Sequence, residues 1–313
     1  MICDKGLTNS PVSVFVHVYY LDIWREISMQ IEARLDVPFR LIITTHHDAS
    51  LIDFPRSPYL TGWVIYPVGN RGRDILPFLK ALHDEYGTFE VGLKLHTKRS
   101  PHRSDGDVWR RAMIDSLVPQ AGVSSLVRLL YDRPEVGLVA PEGFYVPIRQ
   151  WIAGNKKVIA TVAKATDLSV TKEELRQRYF SAGSMFWFRS AALKQALLPS
   201  LFSMFEDEES QLDATVAHAL ERLFALIVEK SGYVAVTADL LSVDQKASPD
   251  ATLAASGRSG ACHPVLMQPD YFWLKASGLL FIAKPIFHSL PPVWRARLRY
   301  YFSPKQRPGK QSR

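Results

Sequence analysis

Two clusters of polar and cationic side chains, about twenty residues apart, contain residue types that could bind an anion. The first spans residues 70–74 (NRGRD) and the second spans residues 96–98 (HTK). Each follows a short apolar stretch, which predicts that both lie at the ends of neighbouring strands, where open α/β sheets bind ligands. Arginine contacts phosphate oxygens through paired hydrogen bonds, and a helix predicted from residue 75 would aim its N-terminal amides at the same place. The pattern predicts a diphosphate site with the candidate residues Asn70, Arg71, Gly72, Arg73, Asp74, His96 and Lys98.

A purely structural interpretation of the first cluster stays open at this point. Arg73 and Asp74 could cap the predicted helix and pair with each other on the surface. The second cluster favours the ligand-binding interpretation, because it places further cationic groups at a neighbouring strand end.

A second set of residues is suited to contacting a sugar or an acceptor. Arg110 extends the positive charge around Trp109, while the small residues Gly183 and Ser184 would let a sugar ring approach the backbone. The candidate sugar and acceptor contacts are Trp109, Arg110, Gly183, Ser184, Trp187 and His218. Two structural alternatives remain. Residues 99–111 could be an ordinary solvated basic loop. Trp187 could pack in the core, since alternate residues of a strand face opposite sides of the sheet.

Asp213 is the candidate catalytic residue, as a general base that deprotonates an acceptor hydroxyl. It stands at the start of a helix predicted over residues 213–228. Residues 206–209 (EDEE) are rival carboxylates, although a run of four acids is usually a solvated loop. The structural alternative for Asp213 is the N-cap of that helix.

The elements that would position these residues alternate between strands and helices. Apolar and β-branched runs predict strands at 12–20, 39–45, 62–67, 91–96, 136–140 and 184–189. Apolar residues at helical spacing predict helices at 23–35, 75–86, 109–117, 124–131 and 213–228. This alternation predicts an α/β fold with a mostly parallel, Rossmann-like sheet flanked by helices.

The predicted sugar-transfer domain covers residues 1–243, and the polar segment 145–181, with a helical patch at 172–178, is interpreted as an insertion or lid. Residues 244–270 are rich in Ser, Ala and Gly and are interpreted as a connector. Residues 271–313 form a basic, aromatic, amphipathic segment without acidic residues. Such a segment is suited to binding an anionic membrane surface. The alternative is a C-terminal helix that covers the core and is followed by a basic end.

Composition narrows the class of protein. The chain of 313 residues has a net charge of +7, which favours an anionic partner. Its two cysteines exclude a disulfide framework, and its start does not read as a secretory signal. We expect a cytoplasmic protein, peripheral to the inner face of the cytoplasmic membrane if the tail binds lipid. Nucleic acid is not expected as a partner, because the cations do not line one recognition helix.

The order of these motifs resembles the rhamnan synthesis F family of bacterial polysaccharide proteins. The resembling pieces are VHVYY at 16–20, NRGRDILPFL at 70–79, KLHTKRS at 94–100, Trp109-Arg110, VGLVAPE at 136–142, AGSMFWFR at 182–189 and LDATVAHALER at 212–222. The resemblance implies a GT-A-like fold and a glycosyltransferase, notably of rhamnose, acting in O-antigen and cell-wall glycan synthesis. It implies as partners a nucleoside-diphosphate sugar donor and a lipid-linked glycan acceptor. The alternative is a non-catalytic accessory protein that binds a glycan or a nucleotide.

One departure from the resembling fold bears on cofactors. Many GT-A enzymes hold a divalent metal through an Asp-x-Asp motif, whereas His96-Thr97-Lys98 stands at that position here. Cations there would replace the charge of the metal. The sequence therefore favours transfer with no metal and no other cofactor, while leaving a divalent metal open.

Overall fold

The structure is a computed structural model that describes residues 2–4, 12–97, 99, 106–152, 154–208 and 213–241. Its strands are β1 Ile2–Asp4, β2 Val12–Val18, β3 Phe39–Thr45, β4 Leu60–Pro67, β5 Val91–His96, β6 Val136–Ala140, β7 Tyr145–Pro147, β8 Tyr179–Ser181, β9 Phe186–Arg189 and β10 Val234–Thr237. Its α-helices are α1 Leu21–Arg34, α2 Ile75–Glu85, α3 Gly106–Leu117, α4 Ser124–Asp132, α5 Ile148–Trp151, α6 Lys156–Ala165, α7 Lys172–Gln177, α8 Pro199–Ser203, α9 Val216–Lys230 and α10 Ala238–Leu241. Short 3₁₀ helices cover Ala49–Leu51 and Ser190–Ala196.

Eight of the strands form one sheet in the order β1-β4-β3-β2-β5-β9-β6-β10, and β7 pairs with β8 apart from it. The β4-β3-β2-β5 strands and the β6-β10 pair are parallel, whereas β1 and β9 run antiparallel to their neighbours. The predicted α/β fold with a mostly parallel sheet flanked by helices is confirmed.

The strand order changes direction between β2 and β5. The chain adds β3 and then β4 on one side of β2 and places β5 on the other side. The carboxyl ends of β2 and β5 therefore border the crevice where open α/β sheets bind ligands. Thr97 ties these two ends together, since its hydroxyl accepts hydrogen bonds from the amides of Tyr19 and Tyr20 at 2.8 and 2.9 Å.

Apolar residues on both faces of the strands explain why the sheet forms. All seven residues of β2 and all six of β5 are buried, as expected of parallel strands covered on both sides. On one face, the Phe78 ring of α2 lies edge-on to Phe186 and Phe188 of β9 and to Phe224 of α9. This aromatic core fixes α2 and α9 against the sheet, and both helices carry site residues.

Several predicted boundaries and one assignment need correction. The last predicted strand begins at Phe186 rather than at 184, because Gly183 and Ser184 have positive φ angles that a strand does not allow. The predicted helix at 213–228 begins at Val216, and its N-cap is Thr215 rather than Asp213. The helix predicted at 109–117 begins at Gly106. The domain boundary at 243, the connector and the basic tail lie outside the described residues.

Segment 145–181, for which the sequence predicted only one helical patch, has more regular structure than expected. It contains β7, β8 and three helices, and Ile159 and Val162 of α6 are buried in the core. The helical patch at 172–178 is confirmed as α7, which begins with a capping box made by Thr171 and Glu174. Its role as a lid stays a prediction.

Candidate functional site

A buried ion pair joins the first cluster to β5. Lys94 and Asp74 have side chains that are only 1% and 9% exposed, and Lys94 Nζ donates to Asp74 Oδ2 at 2.6 Å. The same Nζ donates to the carbonyl oxygen and hydroxyl oxygen of Ser184 at 2.7 and 2.9 Å. Burying an ion is costly unless it is paired and hydrogen-bonded, and Lys94 meets both conditions. The alternative of a surface pair between Arg73 and Asp74 is wrong, because Asp74 is buried against Lys94.

The Ala182–Met185 loop is the meeting point of three elements. His96 Nε2 lies 2.6 Å from the carbonyl oxygen of Gly183, and a carbonyl only accepts, so Nε2 carries the proton. The amide of Gly183 donates to Glu221 Oε1 at 2.7 Å. Gly183 has a φ of +93°, and a Cβ there would lie 2.6 Å from Met113 Sδ, so only glycine fits. The loop is thus fixed by β5 on one side and by α9 on the other.

The NRGRD loop at residues 70–74 makes a sharp turn before α2. Gly72 has a φ of +67°, and a Cβ there would lie 2.6 Å from the Phe205 ring. Arg73 also has a positive φ, of 56°, and its guanidinium Nη1 donates to His218 Nε2 at 2.9 Å. Arginine only donates, so His218 Nε2 accepts, and its Nδ1 donates to the Thr215 hydroxyl at 2.8 Å. Arg73 therefore connects the NRGRD loop directly to α9.

Both arginines of that loop pair with acids of the 205–208 segment. Arg73 Nε lies 3.3 Å from Glu208 Oε2, and Arg71 Nε lies 3.5 Å from Asp207 Oδ1. Arg71 Nε also donates to the carbonyl oxygen of Phe205 at 2.9 Å. Arg71 and Arg73 therefore lie beside the same segment, and carboxylates contact both guanidinium groups.

Asp213 lies in the turn before α9, where Ala214 has a left-handed φ of 67°. Asn155 Nδ2 donates to Asp213 Oδ1 at 2.7 Å, and Asn155 Oδ1 accepts from the amide of Ala214 at 3.1 Å. Arg222 Nη2 lies 3.6 Å from the same carboxylate oxygen. Asn155 occupies the N-cap position of α6, but its side chain makes no capping hydrogen bond to that helix. The oxygen and the nitrogen of its side-chain amide both bind the turn at Asp213 and Ala214 instead. The Asp213 side chain is 41% exposed, so a reactant in solvent can reach it.

A small cavity of about 20 Å³ lies between α3 and the Ala182–Met185 loop. Its lining includes His96, Gly183, Trp109 and Arg110, so four predicted site residues share one space. The Arg110 guanidinium is held by Glu26 at 2.9 Å and by Asp107 at 2.6 Å. Its buried Nε has no hydrogen-bond partner among the described residues, which suits a water or a ligand oxygen in the cavity.

Among the described residues, Trp187 and Asn70 do not take part in these contacts. Trp187 is fully buried, and its Nε1 donates to the carbonyl oxygen of Leu117 at 2.8 Å, so it packs in the core as its structural alternative proposed. Asn70 is exposed at the bend before the NRGRD turn. Lys98 lies outside the described residues.

The comparisons with known proteins bear on the same elements. The family model for rhamnan synthesis protein F matches residues 2–233, which include every described site element from β2 to α9. This chain belongs to the rhamnan synthesis protein F family. Membership indicates a role in polysaccharide synthesis.

Two curated relatives are uncharacterized proteins named WxcX from Xanthomonas campestris pv. campestris, strains B100 and ATCC 33913. Each is 38% identical over 241 residues, a match that covers 74% of this chain and 33% of the relative. This rhamnan synthesis F chain therefore spans about a third of the length of the curated relatives it matches.

The rhamnan synthesis F chain also has a partly exposed aromatic and imidazole cluster at the switch point, which sequence analysis missed. The Tyr19 ring lies 4.8 Å from the His46 ring, and the His46 ring lies 4.0 Å from that of His47. The guanidinium of Arg99 stacks over the Tyr20 ring at 4.8 Å. The tyrosines follow β2, the histidines follow β3 and Arg99 follows β5 at the crevice, where flat rings could contact a nucleobase.

A row of polar side chains crosses the buried face of the sheet next to this cluster. Thr44, His17 and His96 occupy matching register positions on β3, β2 and β5. His17 Nδ1 lies 2.9 Å from the Thr44 hydroxyl. Burial lowers the pKa of His17 to about 3; Asp74 acts in the opposite direction, while His96, Lys94 and His46 add to the lowering. His17 is therefore neutral at physiological pH.

Two features are absent from the described part of the rhamnan synthesis F chain. No group of three or more His, Cys, Asp or Glu side chains in the described ranges is arranged to hold a metal ion. Among the helices of those ranges, none is both long enough and apolar enough to cross a membrane.

Proposed function

We propose that this chain is a GT-A-like glycosyltransferase. It would move a sugar, with rhamnose as the leading candidate, from a nucleoside-diphosphate donor to a growing lipid-linked glycan of a cell-surface polysaccharide or O-antigen. The observation that carries the proposal is the hydrogen-bonded connection of four site elements at the switch point of the sheet. The NRGRD loop, the end of β5, the Ala182–Met185 loop and α9 are linked through Lys94, His96, Glu221 and Arg73.

We propose that the donor nucleotide lies along this crevice with its base at the tyrosine and histidine rings and its diphosphate at the NRGRD loop. The nucleobase would stack on the Tyr19 and His46 rings at the ends of β2 and β3. The diphosphate would then lie at the NRGRD loop, where Arg71 and Arg73 can grip its oxygens and the first amides of α2 point to the same space. The sugar would reach the glycine backbone at residue 183 and the cavity beside Trp109.

The proposed reaction is a direct displacement at the anomeric carbon. Asp213 takes the proton of the acceptor hydroxyl while that oxygen forms the new glycosidic bond. The bond between the anomeric carbon and the diphosphate oxygen breaks with its electron pair going to the leaving group, so configuration inverts. Asn155 and Arg222 hold the Asp213 carboxylate in place for this step.

We further propose that side chains, rather than a metal, stabilise the departing diphosphate, with Arg71, Arg73, His96 and Lys98 as the groups concerned. The sequence has His96-Thr97-Lys98 at the position where many GT-A enzymes would provide the carboxylates of an Asp-x-Asp motif. Activity of the purified chain should then survive a magnesium chelator, and loss of turnover on chelation would contradict this part of the proposal.

The direct test measures release of nucleoside diphosphate from a panel of donors that includes dTDP-rhamnose, UDP-glucose and GDP-mannose, alongside thermal stabilisation by each. We expect Asp213→Asn to lower turnover by at least about a hundredfold, because the general base is lost, while donor binding survives. Asp132→Asn, an exposed acid of α4, is the matched control and should leave turnover unchanged. Equal turnover by Asp213→Asn and the unaltered chain would remove Asp213 from this role.

A second candidate is a non-catalytic module that binds a nucleotide or glycan within a polysaccharide synthesis complex. It is favoured by the pairing of Arg71 and Arg73 with the chain's own acids, which leaves less charge for a leaving group. Binding without turnover of any donor in the panel would support it. For either candidate we propose a cytoplasmic location with residues 271–313 at the membrane surface. Co-sedimentation of the chain with lipid vesicles, compared with a chain that lacks residues 271–313, would test this location.

A further inference from the structure

Three consecutive acids, Glu206, Asp207 and Glu208, form what we term the acidic strap. Each of them contacts a group that would otherwise attract an anion. Glu206 accepts from the amide of Val216, the first residue of α9, at 3.0 Å. Asp207 and Glu208 pair with Arg71 and Arg73 at 3.5 and 3.3 Å. The strap therefore places carboxylate oxygens on both arginines and on a helix N-terminus, positions suited to phosphate oxygens.

The charge balance of the described site makes this arrangement significant. Six carboxylates outnumber four cations among the residues that contact one another there. The acids are Asp74, Glu206, Asp207, Glu208, Asp213 and Glu221, and the cations are Lys94, Arg71, Arg73 and Arg222. A diphosphate would add negative charge to a site whose acids already exceed its cations. Like charges at short range repel, so a diphosphate at Arg71 and Arg73 would compete with the acids that pair with them.

Exposure indicates which acids can leave. Asp74 is buried beside Lys94, where breaking the pair would strand a charge in the core. The Asp207 side chain is 91% exposed, and its partner Arg71 is 44% exposed. Exposed ion pairs contribute little to stability and exchange with solvent at low cost. The Glu208–Arg73 pair, at 18% and 24% exposed, is intermediate.

We propose that the acidic strap is an internal substitute for the donor diphosphate. It occupies the two arginines and the N-terminus of α9 while the site is empty, and the diphosphate displaces it on binding. The second phosphate would then take the place of Glu206 at α9. This inference rests on the proposed function for the identity of the anion, and it makes the strap a competitor that lowers donor affinity.

The experiment measures binding of inorganic pyrophosphate to the full chain by calorimetry at two salt concentrations. Asp207→Asn and Glu208→Gln should each lower the dissociation constant several-fold, and the double variant should lower it about tenfold or more. The reason is that the competing charges are removed while the arginines remain. Asp132→Asn is the matched control, since it removes an equal charge from an exposed pair with Arg128 far along the chain from the strap. It should stay within about twofold of the unaltered chain. Arg73→Ala should weaken binding in every background.

Unchanged or weaker pyrophosphate binding in both strap variants would overturn the proposal, and so would the same gain in the control. Thermal unfolding of each variant checks its fold, and Asp207→Asn, an almost fully exposed change, keeps the test valid if Glu208→Gln is unstable. The outcome is separable from the proposed function. Tighter pyrophosphate binding without turnover of any donor would support the strap and contradict the transferase.

Discussion

The Lys94–Asp74 and Arg71–Asp207 pairs belong to the same site but differ in burial. The side chains of the first are 1% and 9% exposed, and those of the second are 44% and 91% exposed. Lys94 also donates to two oxygen atoms of Ser184, so its charge is satisfied within the core. The arginine pair faces solvent, where water can replace either partner. The comparison indicates that the buried half of the site is a framework and that the exposed half is the part that can exchange ligands.

The histidines show the same division. His17 lies within the sheet on β2, whereas His46 is exposed after β3 in the aromatic cluster. Burial lowers the pKa of both, and for His17 it lowers the pKa to about 3. We therefore expect acidification to lower stability mainly through His17, in the framework.

The largest expected effect is the response of stability to pH through His17. Its usual pKa of 6.5 falls to about 3 in the fold, so the unfolded chain binds the proton more readily. The stabilisation is complete above pH 6.5 and is lost as the pH falls towards 3, by as much as about 5 kcal/mol. The groups facing His17, namely Asp74, Lys94, His96 and His46, modulate this window.

Urea unfolding of the unaltered chain and of His17→Gln at pH 7, 5.5 and 4 measures this contribution, because the variant lacks the titrating ring and should show a flatter profile. Titration of the His17 ring protons by NMR is an independent measurement that needs no variant. A midpoint near pH 6.5 would place His17 with the exposed histidines and break the comparison.

The next largest effect is expected from breaking the buried ion pair. Lys94→Met leaves Asp74 buried without its partner and should lower the free energy of unfolding by about 3–5 kcal/mol. The double change Lys94→Met with Asp74→Leu removes both charges and should recover much of this loss. Urea unfolding provides the measurement, with Arg128→Ala on the exposed pair with Asp132 as the control. A loss of less than about 1 kcal/mol for Lys94→Met would mean that the buried pair behaves like a surface pair.

The sheet could be predicted from the sequence because its strands are continuous apolar runs. The NRGRD loop could be located because glycine marks a sharp turn and arginine marks an anion contact within a few neighbouring residues. The predicted strand at 39–45 and the predicted strand at 91–96 match β3 and β5 residue for residue. The start of α9 was predicted three residues too early, since an Asp before a helix resembles an N-cap as closely as the following Thr215 does.

The framework of the site was harder to predict, because its contacts join residues far apart in the chain. Asn155 and Asp213 are 58 residues apart, and Lys94 and Ser184 are 90 apart. Lys94 did leave a local signal, since a lysine in the middle of the apolar run VGLKLH must find a partner if both faces of the strand are covered. Asn155 left none: it precedes a helix and reads as an ordinary cap.

The smallest expected effect on stability comes from the exposed half of the site. Arg71→Ala removes a pair with Asp207 and hydrogen bonds to the backbone at Phe205, and should cost no more than about 1 kcal/mol of unfolding free energy. Its effect on pyrophosphate affinity should be the larger one, a weakening of several-fold that shrinks as salt is raised, because screening removes most of an exposed charge's attraction. Calorimetric titration together with urea unfolding measures both quantities on the same sample. Arg25 of α1 forms an exposed pair with Asp53, so Arg25→Ala is the matched control. It should change neither the pyrophosphate affinity nor the free energy of unfolding. If Arg71→Ala instead unfolded the chain as readily as Lys94→Met, both arginine and lysine would belong to the framework. Burial would then fail to separate the groups that build this site from those that exchange ligands within it.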